Sequence, residues 1–383
     1  MIRALSCAAL SCLALPLAAS LSEAATPVPS PPLVNVRAYI LVDHFSSRVL
    51  GAYHADQRVE PASLTKLMTA YVVFAALAEQ RLKLTDLVTI SQHAWRAEGS
   101  RSFVKVGAVV PVDILIKGMI VQSGNDATIA LAERLGGTEG QFVDLMNRRA
   151  QQLGMQASHF ANSDGLPDPN HYTSARDMAR LADALIRDFP EYYPLFSIRE
   201  FQWENIRQSN RNGLLGRDPS VDGLKTGHTE SAGWCLVSSA NRNGMRLVSV
   251  VMGAPNDRLR DEASATLLNY GYTFYETVHV KAAHETVLKP RVWESANEFV
   301  AVGPPYEVYA TVTRGEGAGL KTSAHLNTEP LIAPLTAGQI VGELTVESAG
   351  GEVIARTPLV PATDAPLGSL WTRAFDSVAL WFH

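Results

Sequence analysis

Cysteine is scarce: the 383 residues hold three, and two of them, Cys7 and Cys12, lie in an apolar leader. Without that leader Cys235 stands alone and no internal disulfide can form, so a packed core must hold the fold together. Cys235 sits in Trp234-Cys235-Leu236-Val237 and reads as buried filler of a strand. An excess of charge of one sign is also missing. The net charge is −5 and no long basic run occurs, which leaves no electrostatic footprint for nucleic acid. His159, His171 and the histidines after Tyr275 have no metal-ligand spacing such as His-x-x-x-His, so no metal site is expected. No internal repeat stands out.

What is present begins with Met1-Ile2-Arg3, an apolar stretch over 4–21, and Ser22 and Ala24 in a Ser-x-Ala arrangement. This pattern predicts a secretory signal peptide over 1–24, cut after Ala24. The alternative is an uncleaved anchor, since the apolar stretch is rather long. A lipoprotein site at Cys12 lacks the large aliphatic residue three positions earlier, where Ala9 stands. Arg3 and Glu23 would leave together, so the net charge stays near −5.

The length suggests two or three domains. Past a Pro-rich lead-in at 26–32, β-rich runs at 34–42 and 48–53 flank Asp43-His44-Phe45-Ser46-Ser47, a hairpin pattern. Residues 62–78 run almost without a breaker and are apolar nearly all round, which predicts a helix buried in a core. A helix over 112–119 leads to Ser123-Gly124-Asn125-Asp126, with Asp126 placed to cap a second helix at 127–135. Ser123 and Asn125 then fall in the turn between them. Further helices are expected at 141–153, from 173 to about 187, and at 258–274. Strands at 233–240 and 246–252 flank the hairpin signal Asn241-Arg242-Asn243-Gly244. Helices interleaved with an antiparallel sheet make residues 25–276 an α+β domain.

From 277 to 362 the texture changes to short strand-like runs, at 285–288, 299–302, 307–313, 340–346 and 352–358, which predicts a small β-sandwich. In the tail, 363–383, Leu370, Trp371, Ala374, Phe375, Val378, Trp381 and Phe382 share one helical face, opposite Ser369, Thr372, Arg373 and Asp376. Such a helix suits a membrane surface and is too short to span a bilayer. Its alternative is a terminal helix packed on its own protein.

Three motifs stand at the borders of these elements: Ser63-Leu64-Thr65-Lys66, Ser123-Gly124-Asn125 and Lys225-Thr226-Gly227. Pro61 suits a helix start, so Ser63 falls in the first turn, with Lys66 on the same face. An alcohol is a weak nucleophile at neutral pH, and a neighbouring amine of lowered pKa activates it. N–H groups at a helix start suit a developing oxyanion. Ser-x-x-Lys alone recurs by chance on many helices. The two later motifs give it weight.

Together the three motifs resemble those of the penicillin-recognising serine acyl enzymes. The likeness is closest to the low-molecular-mass penicillin-binding proteins of D-alanyl-D-alanine carboxypeptidase type. It is carried by Pro61-Ala62-Ser63-Leu64-Thr65-Lys66, Asn210-Arg211-Asn212-Gly213-Leu214-Leu215 and Val221-Asp222-Gly223-Leu224-Lys225-Thr226-Gly227-His228-Thr229, and extends over the whole mature chain. The resemblance implies a β-lactamase/transpeptidase-like α+β domain, a small all-β domain and a C-terminal amphipathic helix on the membrane surface. It implies removal of the terminal D-alanine from peptidoglycan stem peptides ending in D-Ala-D-Ala, a part in cell wall biogenesis, and covalent inhibition by β-lactams. No cofactor is expected. The location implied is the periplasm, at the outer face of the inner membrane.

By the same resemblance Ser63 is the nucleophile and Lys66 its base, with the Ser63 and His228 N–H groups as oxyanion hole. Ser123 would pass a proton to the leaving amine, and Asn125 would fix Lys66 and the substrate amide. Lys225, Thr226 and Gly227 would form the strand that offers positive charge and a hydroxyl to the terminal carboxylate. Arg260 is a further carboxylate candidate from the likeness of 256–263, with Arg258 its rival, and Arg211 a supporting residue. Asp177 is expected to cap or pair within its own helix, and Trp95 and Trp203 to pack.

Three rival readings remain. A class A β-lactamase needs a glutamate to activate its deacylating water, and residues 141–190 contain none, with Asp164 and Asp168 as the candidates to replace it. A DD-endopeptidase is less favoured by the β module and tail. A wall-binding or penicillin-sensing protein would have no use for the reactive side chains that are all present.

Overall fold

The computed structural model describes residues 28–382, and the signal peptide expected at 1–24 lies outside the described residues. Five antiparallel strands form the main sheet: β1 (Ala38–Asp43), β2 (Val49–Tyr53), β3 (Val221–Thr229), β4 (Gly233–Arg242) and β5 (Met245–Ala254). Their order is β2-β1-β5-β4-β3, which leaves β3 on an edge. Asn243 and Gly244 turn the β4–β5 hairpin with φ of 51° and 83°, the left-handed values that a primed two-residue turn requires.

Strand alternation separates two cores. Val237, Val248 and Val250 face the larger one, with α1 (Lys66–Ala78), α2 (Asn125–Gly136) and α3 (Ala175–Asp188). Leu236, Leu247 and Val251 face the smaller one, under α4 (Asp257–Phe274). Helix α1 is buried from Lys66 to Leu77, which explains why its sequence has no polar face. Burying a side chain such as Phe74 contributes roughly 2–3 kcal/mol, so this central helix is the firmest support in the domain.

The helix expected from residue 62 is two pieces. Ala62–Thr65 form a 3-10 turn and the α-helix begins at Lys66. Asp126 does not cap α2. Gly124 holds the N-cap position and Asn125 is the first helical residue. The Asp126 carboxylate instead accepts the backbone N–H groups of Ser102 (2.7 Å) and Val104 (3.2 Å), so it ties the preceding loop to α2. Ser174 caps α3, while Asp177 pairs with Arg180 at 2.8 Å and accepts from Ala157 N–H. Trp203 packs on the larger core, whereas Trp95 is exposed, with the Arg101 guanidinium 5.8 Å from its ring.

Beyond α4, Tyr275–Lys281 pairs with Val308–Thr313, and a four-stranded antiparallel sheet encloses a third core of Val302, Ala310, Leu344 and Leu359. Residues 285–288 are not a strand: only Leu288 bridges, to Val302. Lys321–Leu326 is a strand that no hydrophobic alternation announced, because it lies at a sheet edge and is mostly exposed. The two units touch where buried Asp43 accepts from Thr277 Oγ1 (2.5 Å) and Phe45 stacks on Tyr309, ring centroids 4.7 Å apart.

The last helix, α5 (Leu370–Leu380), docks by its polar side: Asp376 accepts from Arg291 (3.0 Å) and from the Glu294 N–H (2.7 Å). Its apolar side faces outward, with Phe375 73% and Trp381 91% exposed. Among the described residues no helix is long and apolar enough to cross a membrane.

Candidate active site

The three motifs converge on one cleft of about 420 Å³. Ser63 enters it from the 3-10 turn, Ser123 and Asn125 from the start of α2, and Thr226, Gly227 and His228 from edge strand β3; Arg211 and Arg260 also line it. Lys66 and Lys225 lie buried beneath.

Two glycines let backbone segments close on the Ser63 turn. A Cβ on Gly227 would stand 3.0 Å from the Pro61 carbonyl oxygen and 3.2 Å from the Leu64 nitrogen, so β3 lies hard against the turn. A Cβ on Gly165 would fall 1.9 Å from the Ala62 carbonyl oxygen, and its φ of +92° suits glycine. The loop carrying Asp164 can therefore reach under Ser63.

Lys66 makes three contacts. Its Nζ lies 2.7 Å from Asn125 Oδ1, 2.6 Å from the Asp164 carbonyl oxygen and 3.1 Å from Ser63 Oγ. The first two are acceptors only, so they take two N–H bonds. A neutral amine is then left with its lone pair facing the one contact that can donate, the Ser63 hydroxyl. Burial lowers the Lys66 pKa to about 8, Asp164 and Asp126 act to raise it, and Arg211 to lower it. The protein thus keeps a usable fraction of the free amine near neutral pH.

Ser123 has a left-handed φ of 64° at the end of the Gly118–Gln122 turn. Its buried Oγ has no hydrogen-bond partner among the described residues. A buried, unsatisfied hydroxyl in the wall of a cleft is placed to bond a ligand. Asn125 is held at both ends, its Oδ1 on Lys66 and its Nδ2 donating to the Glu98 carbonyl at 2.6 Å. Lys225 donates to the Thr226 carbonyl at 2.9 Å. Burial first, and then Lys66, Arg211 and Arg260, push it well below the ordinary lysine value.

Arg260 is buried and held by Asp261 (2.8 Å), with its guanidinium 5.8 Å from the Trp234 ring centroid. Arg258 is exposed, pairs with Glu262 at 3.3 Å and does not line the cleft. Arg211 donates to Ser100 Oγ at 2.8 Å, and His228 stacks on Trp234 with centroids 4.0 Å apart.

Sequence reasoning missed three supports. The Asp164 carbonyl is a backbone group, and only the Gly165 beside it hints at a close approach. Glu139, two positions before the stretch searched for a carboxylate, accepts Ser163 N–H (3.0 Å) and Ser163 Oγ (2.6 Å). Burial acts to raise its pKa, but the Ser163 and His93 hydrogen bonds prevail and hold it low. It braces the loop and does not line the cleft. The Glu98 and Ser100 carbonyls, which accept the Asn125 side chain and backbone N–H, are the third. Among the described residues no His, Cys, Asp and Glu group has the makings of a metal site.

Fold and grouping are those of the penicillin-recognising serine acyl enzymes: an α+β domain whose edge strand runs past a serine and a dry lysine. A family model described as D-alanyl-D-alanine carboxypeptidase matches residues 25–256, and one described as the penicillin-binding protein 5 C-terminal domain matches 275–366. The chain is 42% identical over 366 residues to the D-alanyl-D-alanine carboxypeptidase DacA of Escherichia coli K12, covering 94% of this chain and 90% of the relative. It is 32% identical to DacF of Bacillus subtilis, with 86% of each covered. The solved structure of penicillin binding protein 5 from Haemophilus influenzae superposes with a TM-score of 0.84 at 40% identity, covering 88% of this chain and 99% of that one. The chain belongs to the D-alanyl-D-alanine carboxypeptidase family of low-molecular-mass penicillin-binding proteins.

Proposed function

We propose that this chain is a serine-type D-alanyl-D-alanine carboxypeptidase that shortens peptidoglycan stem peptides through an acyl-enzyme on Ser63. The observation that carries the reading is the Lys66 amine, 3.1 Å from Ser63 Oγ and committed elsewhere only to carbonyl oxygens.

A stem peptide lies along the free edge of β3, pairing as an added strand. Its terminal carboxylate meets Thr226 and Arg260, which sets its direction. The arriving anion favours the charged form of Lys225, opposing the effect of burial. Neutral Lys66 takes the Ser63 proton as Oγ bonds to the carbonyl carbon, and the Ser63 and His228 N–H groups hold the oxyanion. Losing one such donor generally costs on the order of 3 kcal/mol of barrier. Ser123 hands its proton to the leaving amine as the C–N bond breaks and D-alanine departs, and the proton that Lys66 took replaces it, so Lys66 is neutral again. Lys66 then takes a proton from the water that attacks the ester carbonyl and returns it to Ser63 Oγ as the ester bond breaks. A β-lactam follows the same path and stays as the ester, its leaving nitrogen still tethered.

We assign catalysis to residues 25–276, a supporting β unit to 277–362 and membrane attachment to 363–383, after loss of 1–24. Attachment at the outer face of the inner membrane rests on the polar docking of α5 and the outward aim of its aromatic side. Deleting 367–383 should release the protein from sedimenting membranes, and unchanged sedimentation would defeat the idea. For the activity, D-alanine release from diacetyl-Lys-D-Ala-D-Ala is measured beside penicillin adduct formation. Release with a lasting adduct supports the carboxypeptidase. Fast antibiotic turnover without release points to a β-lactamase, and an adduct without release to a sensor.

A further inference from the structure

Ala62, the residue before the nucleophile, has a left-handed φ of 48°. A residue with a Cβ seldom adopts that conformation, and it persists where surrounding contacts hold it. The holding contact is on the Ala62 carbonyl, which accepts the Thr65 hydroxyl at 2.8 Å. That carbonyl and the Ser63 N–H belong to one planar trans peptide unit, so whatever fixes the oxygen also fixes the direction of the N–H. On the reading above, this N–H is one of the two oxyanion donors.

Behind Thr65 stands a buried imidazole that the acylation steps do not use. His171 reaches Thr65 Oγ1 with its Nε2 at 2.8 Å, and its Nδ1 lies 3.2 Å from the Ala161 backbone nitrogen. A backbone N–H only donates, so Nδ1 is the bare nitrogen and Nε2 carries the proton. The hydrogen bonds then run one way: Ala161 N–H to the imidazole, imidazole N–H to the Thr65 hydroxyl, hydroxyl to the Ala62 carbonyl. Bonds aligned in series polarise one another, which strengthens the last of them and leaves the Ser63 N–H of the same peptide unit a better donor. Burial first, and then His159 and Lys66, push the His171 pKa down to about 4 against the pull of Asp168, so the ring stays neutral. A second proton would set two donors against each other at Ala161. The ring is also fixed in place: Phe160 meets it edge-on with centroids 5.7 Å apart, and its backbone N–H donates to the Asp168 carbonyl at 2.9 Å.

We propose, resting on the carboxypeptidase reading above, that His171 is a positioning residue for the oxyanion hole. Through Thr65 it holds the Ala62–Ser63 peptide unit so that the Ser63 N–H points at the developing oxyanion. It acts from outside the acyl cleft, which it does not line.

The two ring nitrogens can be replaced one at a time. In His171→Gln the side-chain amide reaches the place of Nε2 and keeps the bond to Thr65. In His171→Asn it reaches only the place of Nδ1 and keeps the bond to Ala161. The test measures kcat and KM for D-alanine release from diacetyl-Lys-D-Ala-D-Ala, per site labelled by saturating penicillin, so that any unfolded share drops out. His171→Asn should lower kcat about tenfold and leave KM within about twofold, the mark of an interaction made in the transition state. A donor aimed wrongly costs less than the hundredfold or more of a donor removed. His171→Gln should stay within about threefold of the native enzyme. Thr65→Ser, which keeps the hydroxyl, should behave like the Gln variant and Thr65→Val like the Asn variant, and this pair decides if the His171 variants do not fold. The pH midpoint of penicillin acylation, set by Lys66, should be the same in all of them, whereas a slackened loop would draw the Asp164 carbonyl off Lys66 and shift it. Equal kcat within each pair, a loss carried by KM, or a shifted midpoint overturns the positioning role and leaves the carboxypeptidase standing. No D-alanine release by the native enzyme overturns the carboxypeptidase reading and the positioning role with it.

Discussion

Acylation should follow the charge of Lys66. With burial holding that amine at about 8, about one molecule in eleven carries it neutral at pH 7 and half do at pH 8. The acylation rate should therefore rise about ninefold from pH 6 to 7 and about fivefold from pH 7 to 8, then level off. Two substitutions move the midpoint in opposite directions. Asp164 raises the Lys66 pKa and Arg211 lowers it. Asp164→Asn should shift the profile to lower pH and Arg211→Gln to higher pH, each by on the order of half a unit to one unit. The Asp164 variant also separates the two lysines, because the charges that act on Lys225 are Lys66, Arg211 and Arg260. Buried His171, pushed down to about 4, stays neutral throughout and does not contribute. The assay is stopped-flow labelling by a fluorescent penicillin from weakly acid to alkaline pH. A flat profile, a midpoint at the ordinary lysine value, or both variants shifting the same way would refute the assignment of Lys66 as base.

Gly165→Ala places a methyl 1.9 Å from the Ala62 carbonyl oxygen at a φ of +92°. It should lower stability by about 3 kcal/mol and slow acylation by dislodging the Asp164 carbonyl; urea unfolding and penicillin labelling within error of the native protein would show the close approach to be unimportant. Asp376→Ala removes the bonds to Arg291 and the Glu294 N–H, and should loosen α5, seen as faster amide exchange over 370–380, without changing kcat/KM for D-alanine release. Cys235, buried and raised to about 11, should resist an aromatic disulfide reagent in the native protein and react once in denaturant; native labelling on mixing would contradict its burial.

What could be read before folding was whatever depends on local spacing. Ser63 and Lys66 are three apart on one face, and the apolar circumference of 62–78 announced its burial. The tail was legible in the same way, from the spacing of Trp371, Phe375, Val378 and Trp381. What escaped was long-range or carried by backbone. The Asp164 carbonyl meets Lys66 across 98 residues and leaves no side-chain signature. Asp126 looked like a cap because its own neighbourhood is helical, but its carboxylate is taken by the Ser102 and Val104 N–H groups from another loop. Arg258 and Arg260 were inseparable by charge, and only the packing of α4 turns one inward and the other to solvent. The strand at Lys321–Leu326 is set by pairing with Gly342–Glu347, since its own residues are too polar to declare it.

The most direct test of the account is to locate the penicillin adduct. Intact mass after brief exposure should rise by one penicillin, and tryptic mapping should put the added mass on the peptide Val59 to Lys66, with none on Ser63→Ala. An adduct on any other peptide, or one that survives in Ser63→Ala, would contradict it.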